Sequence, residues 1–146
     1  MDPSSTLYII YSDGASHFSW NLASVAWAIF IPMHSLVLSN GICIRSATIN
    51  QVEYEAVIGL LVDSLALCIL HLHVFLEYLL CVMQLNGVYH VNNHVLFRRY
   101  LRVKLLVREF ETITFSHVPR AQNHYVDSIA NNILYCYLSH AFKTRQ

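Results

Sequence analysis

Acidic side chains are scarce in this sequence, so the positions of the nine that occur carry information. Asp13 follows an apolar, β-rich run from Leu7 to Ser12 and precedes a glycine. Glu53 falls near the start of a stretch with helical spacing, Glu77 follows the run His71 to Leu76, and Asp127 falls near the start of the last helical stretch. Strand ends and the first turns of helices can meet at one edge of an α/β sheet. Four carboxylates in one cleft repel one another unless cations sit between them. Hard oxygen donors select Mg²⁺ or Mn²⁺. Two such ions about 4 Å apart can activate a water and stabilise the leaving oxygen in phosphodiester hydrolysis. Spacing alone makes this chemistry suggestive and no more.

Other polar groups have plainer readings. Glu55 lies about 200° round the helix from Glu53 and, like Asp63, is expected at a solvated surface. His71 and His73 share a strand face, but no third ligand at suitable spacing completes a zinc site. His124 stands one helical turn before Asp127, a place from which it could aid proton transfer. Arg98, Arg99, Arg102, Lys104 and Arg108 form a basic helix edge. Such an edge is ordinarily a solvated face and can also contact phosphates. Charge is unevenly spread: residues 1–97 hold six acids and one base, and residues 98–146 hold three acids and eight bases. Cys43, Cys68, Cys81 and Cys136 show no metal-binding spacing and read as buried thiols of a reducing compartment.

The elements that must position these groups follow from pattern. Leu7–Ser12 is apolar on both faces, as in a central strand, and Asp13-Gly14 is a turn signal that ends it. Ser24–Ile31 is a second strand, closed by Pro32, and Leu36–Ile44 a third, with a possible irregularity at Asn40-Gly41. Thr48 to Leu70 has helical spacing, with Thr48 or Asn50 as cap. There follow a strand His71–Leu76, a short helix Glu77–Leu85 stopped by Asn86-Gly87, and a longer helix Val95–Phe110. A strand Thr112–Val118 and a helix Asn123–Leu138 complete the order β-β-β-α-β-α-α-β-α.

Composition narrows the class. With 146 residues, one domain is expected. Hydrophobic residues make up 55% and charged residues 12%, which excludes intrinsic disorder. Zero formal net charge excludes a globally basic nucleic-acid coat. Mean hydropathy is +0.43, and residues 14–44 contain no Asp, Glu, Lys or Arg, so a small membrane protein has to be weighed. The window Leu22–Leu38 is short of the ~20 residues of a span and contains Pro32 and His34. The window Ala56–Leu85 is interrupted by Asp63 and Glu77, each costing about 3 kcal/mol near a bilayer centre. No membrane association is therefore expected. The start, Met-Asp-Pro-Ser-Ser, has no secretory pattern, which points to an intracellular protein.

Four motifs, in order, resemble the ribonuclease H family, in particular the ribonuclease H regions of plant retrotransposon polyproteins. They are Tyr11-Ser12-Asp13-Gly14-Ala15-Ser16, Asn50-Gln51-Val52-Glu53-Tyr54-Glu55-Ala56, Gln84-Leu85-Asn86-Gly87-Val88-Tyr89, and His117-Val118-Pro119-Arg120 with Asn123 and Asp127-Ser128-Ile129-Ala130. The resemblance implies an α/β fold, with a five-stranded mixed sheet and helices on both faces, over residues 7–138, flanked by tails 1–6 and 139–146. It implies hydrolysis of the RNA strand of RNA–DNA hybrids, with Asp13, Glu53, Glu77 and Asp127 holding two Mg²⁺ or Mn²⁺ ions; the oligomeric state is not given by the sequence, and a monomer is the default expectation. Asn50, Arg98, Arg102 and Arg120 are the matching candidates for contact with nucleic acid. Departures stand out. The third acid is normally Asp followed by Ser-Gln and here reads Glu77-Tyr78-Leu79. The glycine- and proline-containing turn of the family reads His17 to Leu22, the paired Asn before Glu53 reads Ile49-Asn50, and the flexible-loop His of bacterial relatives has no clear counterpart. The competing expectation is a catalytically inactive nucleic-acid-binding remnant of the same fold.

Overall fold

A computed structural model describes residues 5–17, 21–31, 35–45 and 47–144. The elements are β1 (Leu7–His17), β2 (Leu22–Ile31), β3 (Ser35–Arg45), α1 (Ile49–Ala66), β4 (His71–Leu76), α2 (Leu79–Leu85), α3 (His94–Val107), β5 (Thr112–His117) and α4 (His124–Thr144). A 3₁₀ turn, Arg120–Gln122, leads into α4. The strands form one sheet in the order β3-β2-β1-β4-β5. β1, β2 and β3 are antiparallel neighbours, whereas β1, β4 and β5 run parallel. This is the expected five-stranded mixed sheet and the expected element order.

Both faces of the sheet are covered. Along β2, Ala23, Val25, Trp27 and Ile29 enter the larger core, and Ala26 and Ala28 enter a smaller one with Val126 and Ala130 of α4. The alternation is the period-two geometry of a strand. A strand buried on both faces needs apolar residues at every position, which is why this stretch is charge-free. α1 packs on β1 and β2 from one side and on α3 from the other, and so is buried on several sides. α4 packs on β1, β2 and β3 from the opposite face. Among the described residues, no helix is long and apolar enough to cross a membrane.

Several boundaries differ from the pattern reading. β1 does not end at Asp13-Gly14: those residues stay paired with Ala26 and Val25 of β2, and the strand runs to His17. Asn40-Gly41 pairs regularly within β3, and the irregularity falls at Ile29/Phe30 of β2. Thr48 caps α1 in a reciprocal arrangement, its Oγ1 accepting from Gln51 N and its N–H donating to Gln51 Oε1, each at 3.2 Å. α1 stops at Ala66, not Leu70, because Cys68 takes a left-handed backbone, φ 59°. α2 begins at Leu79, which leaves Glu77 between strand and helix. α3 begins after the Asn93 cap and ends at Val107, short of Phe110, and α4 continues past Leu138 to Thr144. Pro32 and residues 18–20 of the His17–Leu22 turn lie outside the described residues. At the turn's described end, Asn21 has φ 52°, a left-handed backbone that asparagine tolerates better than most residues.

The thiols are not uniformly buried: Cys81 is, Cys43 is partly so, and Cys68 and Cys136 are exposed. Cys68 stands where a helix commonly ends on glycine. A left-handed non-glycine residue costs about 1–2 kcal/mol. Cys68→Gly is therefore expected to stabilise the protein by about 1 kcal/mol, read as a higher midpoint in urea. A lower midpoint would show that Cys68 packing outweighs its backbone strain.

Candidate active site

The parallel pairing of β1 with β4 matches Ser12 with Leu76. Asp13 and Glu77 are the next residues of the two chains, so the register brings them side by side at the carboxyl edge. Glu53 comes from the first turns of α1, which lies unusually close to β1. A Cβ on Gly14 would fall 2.5 Å from Val52 Cγ1 and 3.5 Å from Glu53 Oε1. Gly14 thus serves close helix approach, not a turn. Asp127 comes from the first turn of α4, where its carboxyl is near enough to that of Asp13 to favour the protonated form of Asp13. The structure therefore brings Asp13, Glu53, Glu77 and Asp127 to one place.

The electrostatics of that place are unfavourable for unbalanced charge. Asp13 is 6% and Glu53 5% exposed. Burial, then the charges of Glu53 and Glu77, push Asp13 up to about 9, against the opposing effect of the Gly14 N–H at 2.8 Å. Burial, then Glu77, push Glu53 up to about 7. Glu53 Oε2 is buried without a hydrogen-bond partner, as are Ser12 Oγ and Asn123 Oδ1. An orphaned buried carboxylate oxygen beside three further carboxylates is an all-oxygen donor set suited to a hard divalent cation. The carboxylates do not stand as a closed cage, since among the described residues no three His, Cys, Asp or Glu side chains are drawn together tightly enough to hold an ion. Glu77 leans instead toward neighbours on the approach to α4. Asn123 Nδ2 donates to Glu77 Oε2 at 3.3 Å and to the Ser12 carbonyl at 3.2 Å, and Arg120 Nε faces Glu77 Oε1 at 3.8 Å.

Among the basic residues, Arg98 and Arg102 are exposed on α3. Arg99 is not part of a free basic edge: it pairs with Glu55 at 2.8 Å, tying α3 to α1. Glu55 is accordingly not a solvated side chain. Lys104 donates to the Leu85 carbonyl at 2.9 Å and lies over the Tyr100 ring. Asn50 is half-buried in the first turn of α1. Asp63, also expected in solvent, accepts from Trp27 Nε1 at 2.6 Å and from Asn40 Nδ2 at 3.1 Å. His71 contacts Thr112 and Glu111, and His73 contacts Ser116. His124 is exposed. The pattern reading quoted Asn123 within a motif and gave it no role; its burial before α4 and its two bonds make it part of the site.

Comparison with known proteins agrees with this fold. A family model described as reverse transcriptase-like matches residues 11–133. Ribonuclease HI of Halobacterium salinarum is 32% identical over 124 residues, which is 85% of this chain and 62% of that protein. Bifunctional protein Rv2228c of Mycobacterium tuberculosis is 31% identical over 127 residues, 86% of this chain and 35% of its own length. The chain thus spans about a third to under two thirds of these relatives. The crystal structure of the Halobacterium salinarum RNase H1 superposes with TM-score 0.83 at 31% identity, covering 88% of this chain and 97% of that one. The N-terminal RNase H domain of Rv2228c superposes with TM-score 0.87 at 28% identity, covering 94% and 99%. LC11-RNase H1, solved in complex with an RNA/DNA hybrid, gives TM-score 0.84 at 25% identity over 90% of this chain and 99% of that one.

Proposed function

The chain belongs to the reverse transcriptase-like family of ribonuclease H-like domains, and from that membership we propose that it hydrolyses the RNA strand of RNA–DNA hybrids with the help of divalent metal ions. The observation that carries the reading is the approach of Asp13, Glu53, Glu77 and Asp127 from four separate parts of the chain, with Asp13 and Glu53 buried and Glu53 Oε2 unpartnered. Such a cluster destabilises the fold that carries it, which is accounted for if a cation completes the site. Bound there, Mg²⁺ or Mn²⁺ would supply the charge that activates water and balances the leaving oxygen.

The chain's own groups do the rest. The four carboxylates would hold the ions, and Asn123 keeps Glu77 beside β1 through its two bonds. The exposed guanidiniums of Arg98, Arg102 and Arg120 suit phosphate oxygens, and Asn50 offers an amide at the start of α1. The RNA strand is distinguished by its 2′-hydroxyl.

The test is cleavage of a hybrid with labelled RNA in Mg²⁺, Mn²⁺ or chelator. Glu77 is one methylene longer than the family's Asp, and Mg²⁺ demands near-ideal geometry. Mn²⁺ is therefore expected to support faster cleavage than Mg²⁺, with none in chelator. Glu77→Asp is expected to raise the Mg²⁺-supported rate about tenfold, about 1.4 kcal/mol of barrier. No gain would clear Glu77 as the limiting group. No cleavage by either protein with either ion would replace this reading by an inactive nucleic-acid-binding domain.

A further inference from the structure

Glu77 is held by two arms of unlike character, both from the segment that leads into α4. Asn123 is 1% exposed, and it anchors Glu77 Oε2 while its other bond fixes it to the Ser12 carbonyl of β1. Arg120 faces the other oxygen, Oε1, at 3.8 Å, and its side chain is 80% exposed against 21% for Glu77. Among the described residues, Glu77 is the one carboxylate of the four that an Arg or Lys side chain faces. The buried arm is fixed. The exposed arm is an ion pair of a kind that contributes little and is readily given up.

Resting on the function proposed above, we infer that Arg120 is a positioning residue that exchanges Glu77 for a phosphate of the hybrid. A guanidinium at Oε1 and a divalent cation in the cleft compete for the same carboxylate, because like charges repel at this range. Release of Arg120 leaves its planar fork free at the exposed side of Glu77, the geometry that takes two phosphate oxygens at once. Hybrid binding and cation binding therefore favour each other through one side chain. Linkage requires the coupling to be reciprocal. The nucleic-acid role expected for Arg120 from its motif is retained, and a role against the site's own acid is added.

The experiment measures Mn²⁺ binding to the full chain by electron paramagnetic resonance without nucleic acid, and hybrid binding separately in chelator. R120A is expected to bind Mn²⁺ about three- to tenfold more tightly than the parent and the hybrid severalfold more weakly. Opposed directions are the signature, since loss of a merely structural contact weakens both. R120K keeps the charge without the fork, and is expected to restore the parent Mn²⁺ affinity but only part of the hybrid affinity. Unchanged or weaker Mn²⁺ binding by R120A overturns the inference. Tighter Mn²⁺ binding by R120A, with no hybrid cleavage, leaves this inference standing and removes the nuclease reading. No Mn²⁺ binding by any of the three proteins overturns both.

Discussion

Asp13→Asn is expected to abolish hybrid cleavage and, in the same preparation, to raise the melting temperature of the cation-free protein. The first effect follows from Asp13's place: it lies next to Glu77 at the carboxyl edge of β1 and β4, with Glu53 and Asp127 near enough to act on its carboxyl. Loss of a charged donor there is expected to cost at least about a thousandfold in rate, about 4 kcal/mol of barrier. The second effect follows from burial. Asp13 in the fold is pushed up to about 9 from an ordinary 3.8, and Glu53 to about 7 from 4.5. Raised values mean that the folded state holds protons more tightly than the unfolded chain. The stability these groups allow is fully present below about pH 4 and is lost as pH rises toward 7 and then 9. An amide at position 13 is neutral without taking up a proton on folding, and it still accepts the Gly14 N–H, now 2.8 Å from the Asp13 side chain. A gain of about 1–3 kcal/mol at pH 8 corresponds to roughly 3–10 °C for a chain of this size. The advantage should shrink to nothing near pH 4 and should also narrow on adding Mn²⁺, which steadies only the parent. A variant that melts lower than the parent at pH 8 would mean that Asp13 is paired and not repelled in the fold.

How far the sequence could be read depended on whether a residue's partner was local. Strands and helices came from periodicity and caps, which are properties of neighbouring residues, and so the element order and most of the candidate carboxylates were legible. The meeting of those carboxylates was legible only through the motif resemblance, because the pairing of Ser12 with Leu76 is a tertiary register. Where a partner lay far off, the plain reading failed. Glu55 and Asp63 looked solvated because nothing near them in sequence could claim them, yet Arg99 holds one and Trp27 the other across 44 and 36 residues. Gly14 looked like a turn because its reason, the closeness of Val52, lies on another element. Cys68 ended a helix that apolar spacing would have carried on, since a left-handed backbone at a cysteine leaves no signature in composition. Asn123 was left without a role, and Arg120 without its partner Glu77, for the same reason. Both were visible as letters of a motif, and only the fold puts each against a different oxygen of Glu77.

Gly59→Ala is expected to unfold the protein at a markedly lower temperature, the reverse of what helix propensity alone predicts. Within a helix, Ala is favoured over Gly by about 1 kcal/mol. Gly59 sits in the middle of α1, so an exposed site there would gain that amount. The indole of Trp27 decides otherwise. It lies across Gly59 so closely that a Cβ would fall within 2.8 Å of three ring carbons. The ring cannot simply swing away, because its Nε1 is bonded at 2.6 Å to Asp63, one helical turn further along the same face of α1. Trp27 is itself in the buried centre of β2, between β1 and β3. The added methyl must therefore push α1 off the sheet or break the Asp63 bond. Overpacking of this kind costs about 1–3 kcal/mol and at times more, and here it must also overcome the propensity gain. A net loss of about 2 kcal/mol, roughly 4–8 °C, is the expected result. Trp27→Phe gives up the Asp63 bond and shortens the ring, and should cost stability alone but relieve the clash when combined with Gly59→Ala. The double-mutant cycle should then show the pair less harmful together than the sum of the two. A melting temperature that rises on Gly59→Ala, or two effects that simply add, would mean that the ring and the helix are not in the contact that sets the spacing of α1 over β2.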